Sequence, residues 1–119
     1  MSIYQEIILD HYRNPRNFGT LNNPSFSYHL DNPLCGDSIT MSILTENEKV
    51  KDIKFDGKGC AISMASASIL TEKVKGETIE NLRKFEKSVI LDDLGIELSP
   101  NRLKCALLSL EVLQKLINN

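Results

Sequence analysis

Three thiols and one carboxylate in this sequence could do chemistry. Cys35 and Asp37 flank Gly36 in the stretch NPLCGDSITM, residues 32–41. In extended chain, residues two apart project to the same side. Gly36 lets the backbone bend and leaves room beside both side chains, so a thiol and an acid converge. Asn32-Pro33 and Gly36-Asp37 are also ordinary turn residues, and a plain turn is the simpler account of this stretch taken alone. Cys60 follows the glycine-rich DGKG, read as a flexible loop, and opens a helix. A helix start carries partial positive charge and unused N–H groups, surroundings that suit a thiolate ligand or nucleophile. The same glycines serve a tight strand-to-helix connection equally well. Cys105 falls in the second turn of the last predicted helix, where a small buried hydrophobe beside Leu108 and Val112 explains it.

No C-x-x-C spacing joins these cysteines, so no zinc-finger or ribbon pattern is present. What favours a metal is the kind of place each occupies: a glycine turn, a loop at a helix start, an early helix turn. Three thiolates and a carboxylate would make a four-coordinate set suited to Zn²⁺ or to the iron of an iron–sulfur cluster. Four anionic donors leave net negative charge on a divalent ion, and Lys104 and Arg102 are placed to offset it, although most such side chains are simply solvated. His29 is read as an exposed or edge-strand residue, His11 as packed or exposed on the first helix, and Asp92-Asp93 as part of a solvated loop. No nucleotide-binding loop or Ser-His-Asp order supports kinase or hydrolase chemistry.

These residues need elements to hold them. A first helix is predicted from about Ser2 to Tyr12, with Ser2 as cap, Gln5 in capping-box register and a stripe of Ile3, Ile7, Ile8 and His11. NPRNFGTLNNP is a turn-rich connector. FSYHL is a short, ambiguous strand. SITMSILT alternates, with Ile39, Met41 and Ile43 on one face, and VKDIKFDG follows a polar turn with Ile53 and Phe55 on one face. GKGCAISMASASILTEKVKG is a helix of apolar and small residues, mostly buried. ETIENLRKFEKSVI reads as one surface helix with Ile79, Leu82, Phe85 and Val89 inward, and LDDLGIEL as a connector. The last helix has Ser99 as N-cap and Pro100 in its first turn, and runs to about Asn118 with Lys104, Glu111 and Lys115 on its wet arc. The order predicts an α+β fold, a small antiparallel three-stranded sheet packed against several helices, within a single domain spanning residues 1–119.

The totals exclude some classes. The 119 residues are 41% hydrophobic and 25% charged, with net charge −2. No basic stripe points to nucleic acid. No apolar run reaches the ~20 residues of a membrane span, and the first residues lack the pattern of a signal peptide. An odd cysteine count without an export signal argues against a disulfide framework. A cytoplasmic protein that binds neither nucleic acid nor membrane is expected.

NPLCGD, FDGKGCAISMASASILTEKVKG and NRLKCALLSLEVLQKLI, with ILDHYRNPRNFGTL ahead of them, resemble the NifU N-terminal / IscU / SufU family of iron–sulfur cluster assembly proteins. The resemblance covers nearly the whole chain in the same order, and implies a SufE/NifU-like fold. By motif, it maps the family's ligand set onto Cys35, Asp37, Cys60 and Cys105. The partner it implies is a pyridoxal-phosphate cysteine desulfurase of SufS/IscS type, with a downstream scaffold or apo iron–sulfur proteins receiving the product. Lys104 stands where IscU-type scaffolds carry a histidine, and NPRNFG and ISMASAS are similar to SufU-like sequences. LSPNR replaces the LPPVK chaperone motif, which counts against a DnaK-type chaperone as partner. The 44 residues between Cys60 and Cys105 match the compact IscU-like length instead. The SufU-like reading leads. It implies a zinc-bound protein whose Cys35 leaves the metal to accept persulfide sulfur, while a histidine of the desulfurase takes its place, so the chain acts as a sulfur-transfer partner rather than a stand-alone enzyme. The alternative is a scaffold for a labile [2Fe–2S] cluster, in which an Asp37→Ala variant should trap the cluster.

Overall fold

The computed structural model describes residues 3–33 and 36–118. Its elements run α1 (Ile3–Arg13), β1 (Phe26–Asn32), β2 (Asp37–Glu46), β3 (Lys49–Lys58), α2 (Ala61–Val74), α3 (Ile79–Leu82), α4 (Ser88–Leu94) and α5 (Pro100–Ile117). The strands form one antiparallel sheet in the order β1-β2-β3, and the fold is α+β as expected.

Alternation in β2 places Asp37, Ile39, Met41 and Ile43 on one buried face. Met41 pairs with Phe55 and Ile43 with Ile53, so the inward rows of β2 and β3 are continuous. A register shift at Leu44/Thr45 lets Val50 join that face out of step. The β2–β3 hairpin turns on Asn47 and Glu48, both at positive φ (54° and 62°), the two-residue geometry that matches strand twist. β3 then runs on to Lys58. The link to α2 is therefore Gly59-Cys60 alone, which is the tight strand-to-helix connection of the two readings left open by the glycines, and residues 56–58 belong to the strand.

α2 is buried along most of its length, as its Ala and Ser content predicts. Its hydroxyls are satisfied within the fold: Ser66 donates to the Ile62 carbonyl at 2.7 Å and Thr71 to that of Ser68 at 2.8 Å. α5 packs on α2, β1 and β2. Ser99 caps α5 by accepting the Arg102 N–H, Pro100 is in its first turn, and Lys104, Glu111 and Lys115 are exposed.

Two expectations are corrected. On α1 only Ile8 is buried, whereas Ile3 is 67% and Ile7 37% exposed. The helix packs on α2 and α4 from one side, so a single line of the apolar stripe meets the core. The proposed Ser2 cap lies outside the described residues. Residues 77–90 do not form one helix. α3 ends after Leu82, and the Phe85 carbonyl accepts instead from the Gln114 side chain on α5 at 3.2 Å. α4 begins at Ser88 and takes up Leu91–Leu94, read as connector, because Ile90 and Leu94 bury completely. Long-range packing overrides the continuous helical period here.

Candidate metal centre

Asp37 is the first residue of β2 and the end of its inward-facing row, which explains why a carboxylate is only 2% exposed. Its Oδ1 accepts the backbone N–H of Cys60 at 3.1 Å. Cys60 occupies the N-cap position of α2, so a strand carboxylate supplies the acceptor that this helix start would otherwise seek in its own first turn. Ser63, three residues on, donates to the Cys60 carbonyl at 3.1 Å. The Cys60 sulfur lies 3.9 Å from Asp37 Oδ2 and 3.8 Å from Ser63 Oγ. Gly59 makes this approach possible. A Cβ there would stand 2.3 Å from Ser63 Oγ and 2.6 Å from Asp37 Oδ1.

Cys105, 4% exposed in the second turn of α5, completes the group. One donor atom from each of Asp37, Cys60 and Cys105 lies within 4.8 Å of the others. Tetrahedral zinc with sulfur at about 2.3 Å sets donor–donor edges of roughly 3.8 Å. The three side chains are thus within about 1 Å of a ligating arrangement, and two thiols with a carboxyl are donors zinc accepts. A carboxylate buried beside two thiols is a donor set whose charge a cation would offset. The residues present fit the ion.

Cys35 lies outside the described residues. Its flanks are Asn32 and Asp37, which are register partners, and the Gly36 N–H bonds the Asn32 carbonyl at 2.9 Å. The histidines do not join the group. His29, exposed on the edge strand β1, contacts Thr40 Oγ1 at 2.6 Å and Asp31 at 2.8 Å. His11 Nδ1 contacts Ser68 Oγ at 2.7 Å. Asp92 and Asp93 belong to α4, not to a loop, and Asp93 pairs with Lys73. Lys104 and Arg102 are exposed. Lys104 lines a cleft of about 290 Å³ with Asp31, Asn32, Pro33, Leu108 and Glu111. A groove of about 440 Å³ between Phe85–Ser88 and α5 contains none of the three donors.

Sequence reasoning missed Ser63. Its position three residues into a helix whose start is Cys60 was the available signal, since that position characteristically reaches back toward the cap.

Along residues 3–119 the chain matches the family model described as NifU-like N terminal domain. The zinc-dependent sulfurtransferase SufU of Bacillus subtilis is 39% identical to it, with 96% of this chain and 88% of the relative covered. The iron–sulfur cluster assembly scaffold protein IscU 1 of Archaeoglobus fulgidus is 34% identical, covering 97% of this chain and 74% of the relative. Among solved structures, one described as an iron–sulfur cluster assembly scaffold protein for the SUF system, from Fervidobacterium islandicum, aligns with a TM-score of 0.79 at 28% identity, over 94% of each chain.

Proposed function

The chain belongs to the NifU-like N-terminal domain family, and on that footing we propose that its single domain, residues 1–119, is a zinc-bound acceptor of persulfide sulfur. A pyridoxal-phosphate cysteine desulfurase loads it, and it passes the sulfur on for iron–sulfur cluster biogenesis. The observation that carries the reading is the meeting of Asp37, Cys60 and Cys105, from three separate elements, within 4.8 Å. A relative 39% identical bears the name of a zinc-dependent sulfurtransferase.

Asp37, Cys60 and Cys105 would hold the ion, with Cys35 as fourth ligand. Bound zinc would keep the thiols ionised and shield them until a partner docks. Cys60 and Cys105 stand on helices and Asp37 is fixed by the Cys60 N–H, so these three form the constant part of the site. Cys35 is the group that transfers. Its thiolate attacks the terminal sulfur of the desulfurase persulfide. A new S–S bond forms at Cys35, the donor's S–S bond breaks, and the electron pair leaves on the donor cysteine as thiolate. The persulfide proton travels with the transferred sulfur, and no external oxidant is consumed.

A second reading has its own support. The match to SufU spans 131 residues, more than the 119 of this chain, so that relative carries residues without counterpart here. The match to IscU 1 spans 115 residues and 97% of this chain. On this reading the same four residues hold a [2Fe–2S] cluster as cargo.

The test pairs metal content of freshly purified protein with stimulation of a cysteine desulfurase. About one zinc per chain, with stimulation lost in Cys35→Ser, supports the acceptor. Full stimulation by Cys35→Ser removes Cys35 from that role. Brown protein after anaerobic reconstitution, whose cluster moves to an apo-acceptor and is trapped by Asp37→Ala, supports the scaffold instead.

A further inference from the structure

Ser109 lies one helical turn beyond Cys105 on α5 and is fully buried. Residues four apart share a helix face, and helical side chains lean back toward the N-terminus. The Ser109 side chain therefore leans over the turn that carries Cys105. Its hydroxyl has no hydrogen-bond partner among the described residues. The other buried hydroxyls of the helices all have one. Ser63 donates to the Cys60 carbonyl, Ser66 to Ile62, Thr71 to Ser68, and Ser68 meets His11 and the Arg16 N–H. The ready solution for a helical serine is the carbonyl four residues back, which Ser66 takes and Ser109 does not.

A buried hydroxyl without a partner destabilises the state that contains it, and alanine would fill this position with better helix propensity. The hydroxyl is useful in a state that supplies an acceptor. On its own helix face, the group whose acceptor strength depends on state is the Cys105 sulfur. A thiol sulfur accepts weakly, and an ionised sulfur accepts a much stronger, charge-assisted bond.

We propose that the Ser109 hydroxyl is a reserve donor for the Cys105 sulfur once that sulfur is an ionised ligand. It is a positioning residue that orients the thiolate and tightens the site's hold on its metal. The proposal rests on the metal-binding reading above. It follows that the metal-free and metal-bound proteins respond oppositely to loss of the hydroxyl.

The experiment uses the full chain and Ser109→Ala, with three measurements. They are the thermal midpoint in excess chelator, Zn²⁺ affinity by competition with a chromophoric chelator, and the sulfur-to-metal charge-transfer band of the Co²⁺-loaded protein. In the variant, the metal-free midpoint is expected to hold or rise. Zn²⁺ affinity is expected to fall about tenfold, at the low end of what outer-shell partners contribute. The Co²⁺ band is expected to move to longer wavelength as the sulfur loses its donor. An unchanged affinity with an unshifted band overturns the proposal. So does a lowered metal-free midpoint with unchanged affinity, which would make the hydroxyl purely structural. If the unaltered chain takes up neither Zn²⁺ nor Co²⁺, the metal reading itself falls, and this inference with it.

Discussion

Asp37 combines two features that substitution can separate. Its oxygen accepts the Cys60 N–H at the start of α2, and its charged carboxylate is one of three groups that could hold a metal ion. Asp37→Asn keeps an acceptor oxygen and removes the charge. Its metal-free stability should stay close to that of the unaltered chain, while Zn²⁺ affinity falls. Asp37→Ala removes both and should lower stability by a further 0.5–2 kcal/mol or so, the usual worth of a helix N-cap acceptor. Urea denaturation in chelator, beside Zn²⁺ titration, reads the two effects independently. Gly59 poses a different problem at the same place. Any Cβ there collides with both Ser63 Oγ and Asp37 Oδ1. Gly59→Ala must displace the carboxylate, and should lower stability by about 1–3 kcal/mol and metal content with it. A Gly59→Ala protein that retains full zinc at unchanged stability would show that Asp37 can move freely. The residue types at 37, 60 and 105 were legible as candidate donors, because chemistry travels with the side chain. Ser63 had a local signal in its spacing from Cys60, whereas Gly59 had none, because its importance arises from the Asp37 carboxylate that stands opposite it.

At the scale of elements, Ser68 on α2 holds both α1 and the segment after it, and Asn17 adds a bond to Thr71 at 3.1 Å. Ser68 Oγ contacts His11 Nδ1 at 2.7 Å and accepts the Arg16 N–H at 2.9 Å. Burial, seconded by the Arg16 charge, lowers the His11 pKa from its ordinary 6.5, against the opposing pull of Asp10, Glu72 and Asp93. The folded state therefore binds this proton less readily than the unfolded chain. The stabilisation is complete above about pH 6.5 and is lost as pH falls from there toward the lowered folded value. A melting temperature that declines on acidification below pH 6.5, with the decline reduced in His11→Gln, is the expected result. Identical pH profiles for the two proteins would remove His11 from the account. The break between α3 and α4 has a similar long-range cause. Gln114→Ala deprives the Phe85 carbonyl of its donor and should cost about 1 kcal/mol, seen as a lower urea midpoint at unchanged slope.

For the whole molecule, the candidate metal centre and the core are separable. The buried rows of β2 and β3 and the apolar faces of α2 and α5 meet in one hydrophobic cluster that does not depend on an ion for its apolar packing. Chelation should therefore lower the melting temperature by mass action, by about 4 kcal/mol of stability at a thousandfold excess of free Zn²⁺ over Kd. Cooperative unfolding should remain. Collapse to an unfolded chain on chelation would point instead to a small structural zinc domain. The sequence alone determined what depends on near neighbours: the alternation of Ile39, Met41 and Ile43, the Ser99 cap and Pro100 start of α5, and the small-residue burial of α2. These follow from periods of two and 3.6 residues and from capping chemistry, all local. Only the tertiary structure decided that one line of α1 is buried, that residues 77–94 split around Phe85, and that Asp37, Cys60 and Cys105 share one point. Those outcomes turn on how β2, α2 and α5 pack, contacts between residues far apart in the chain that no local period encodes.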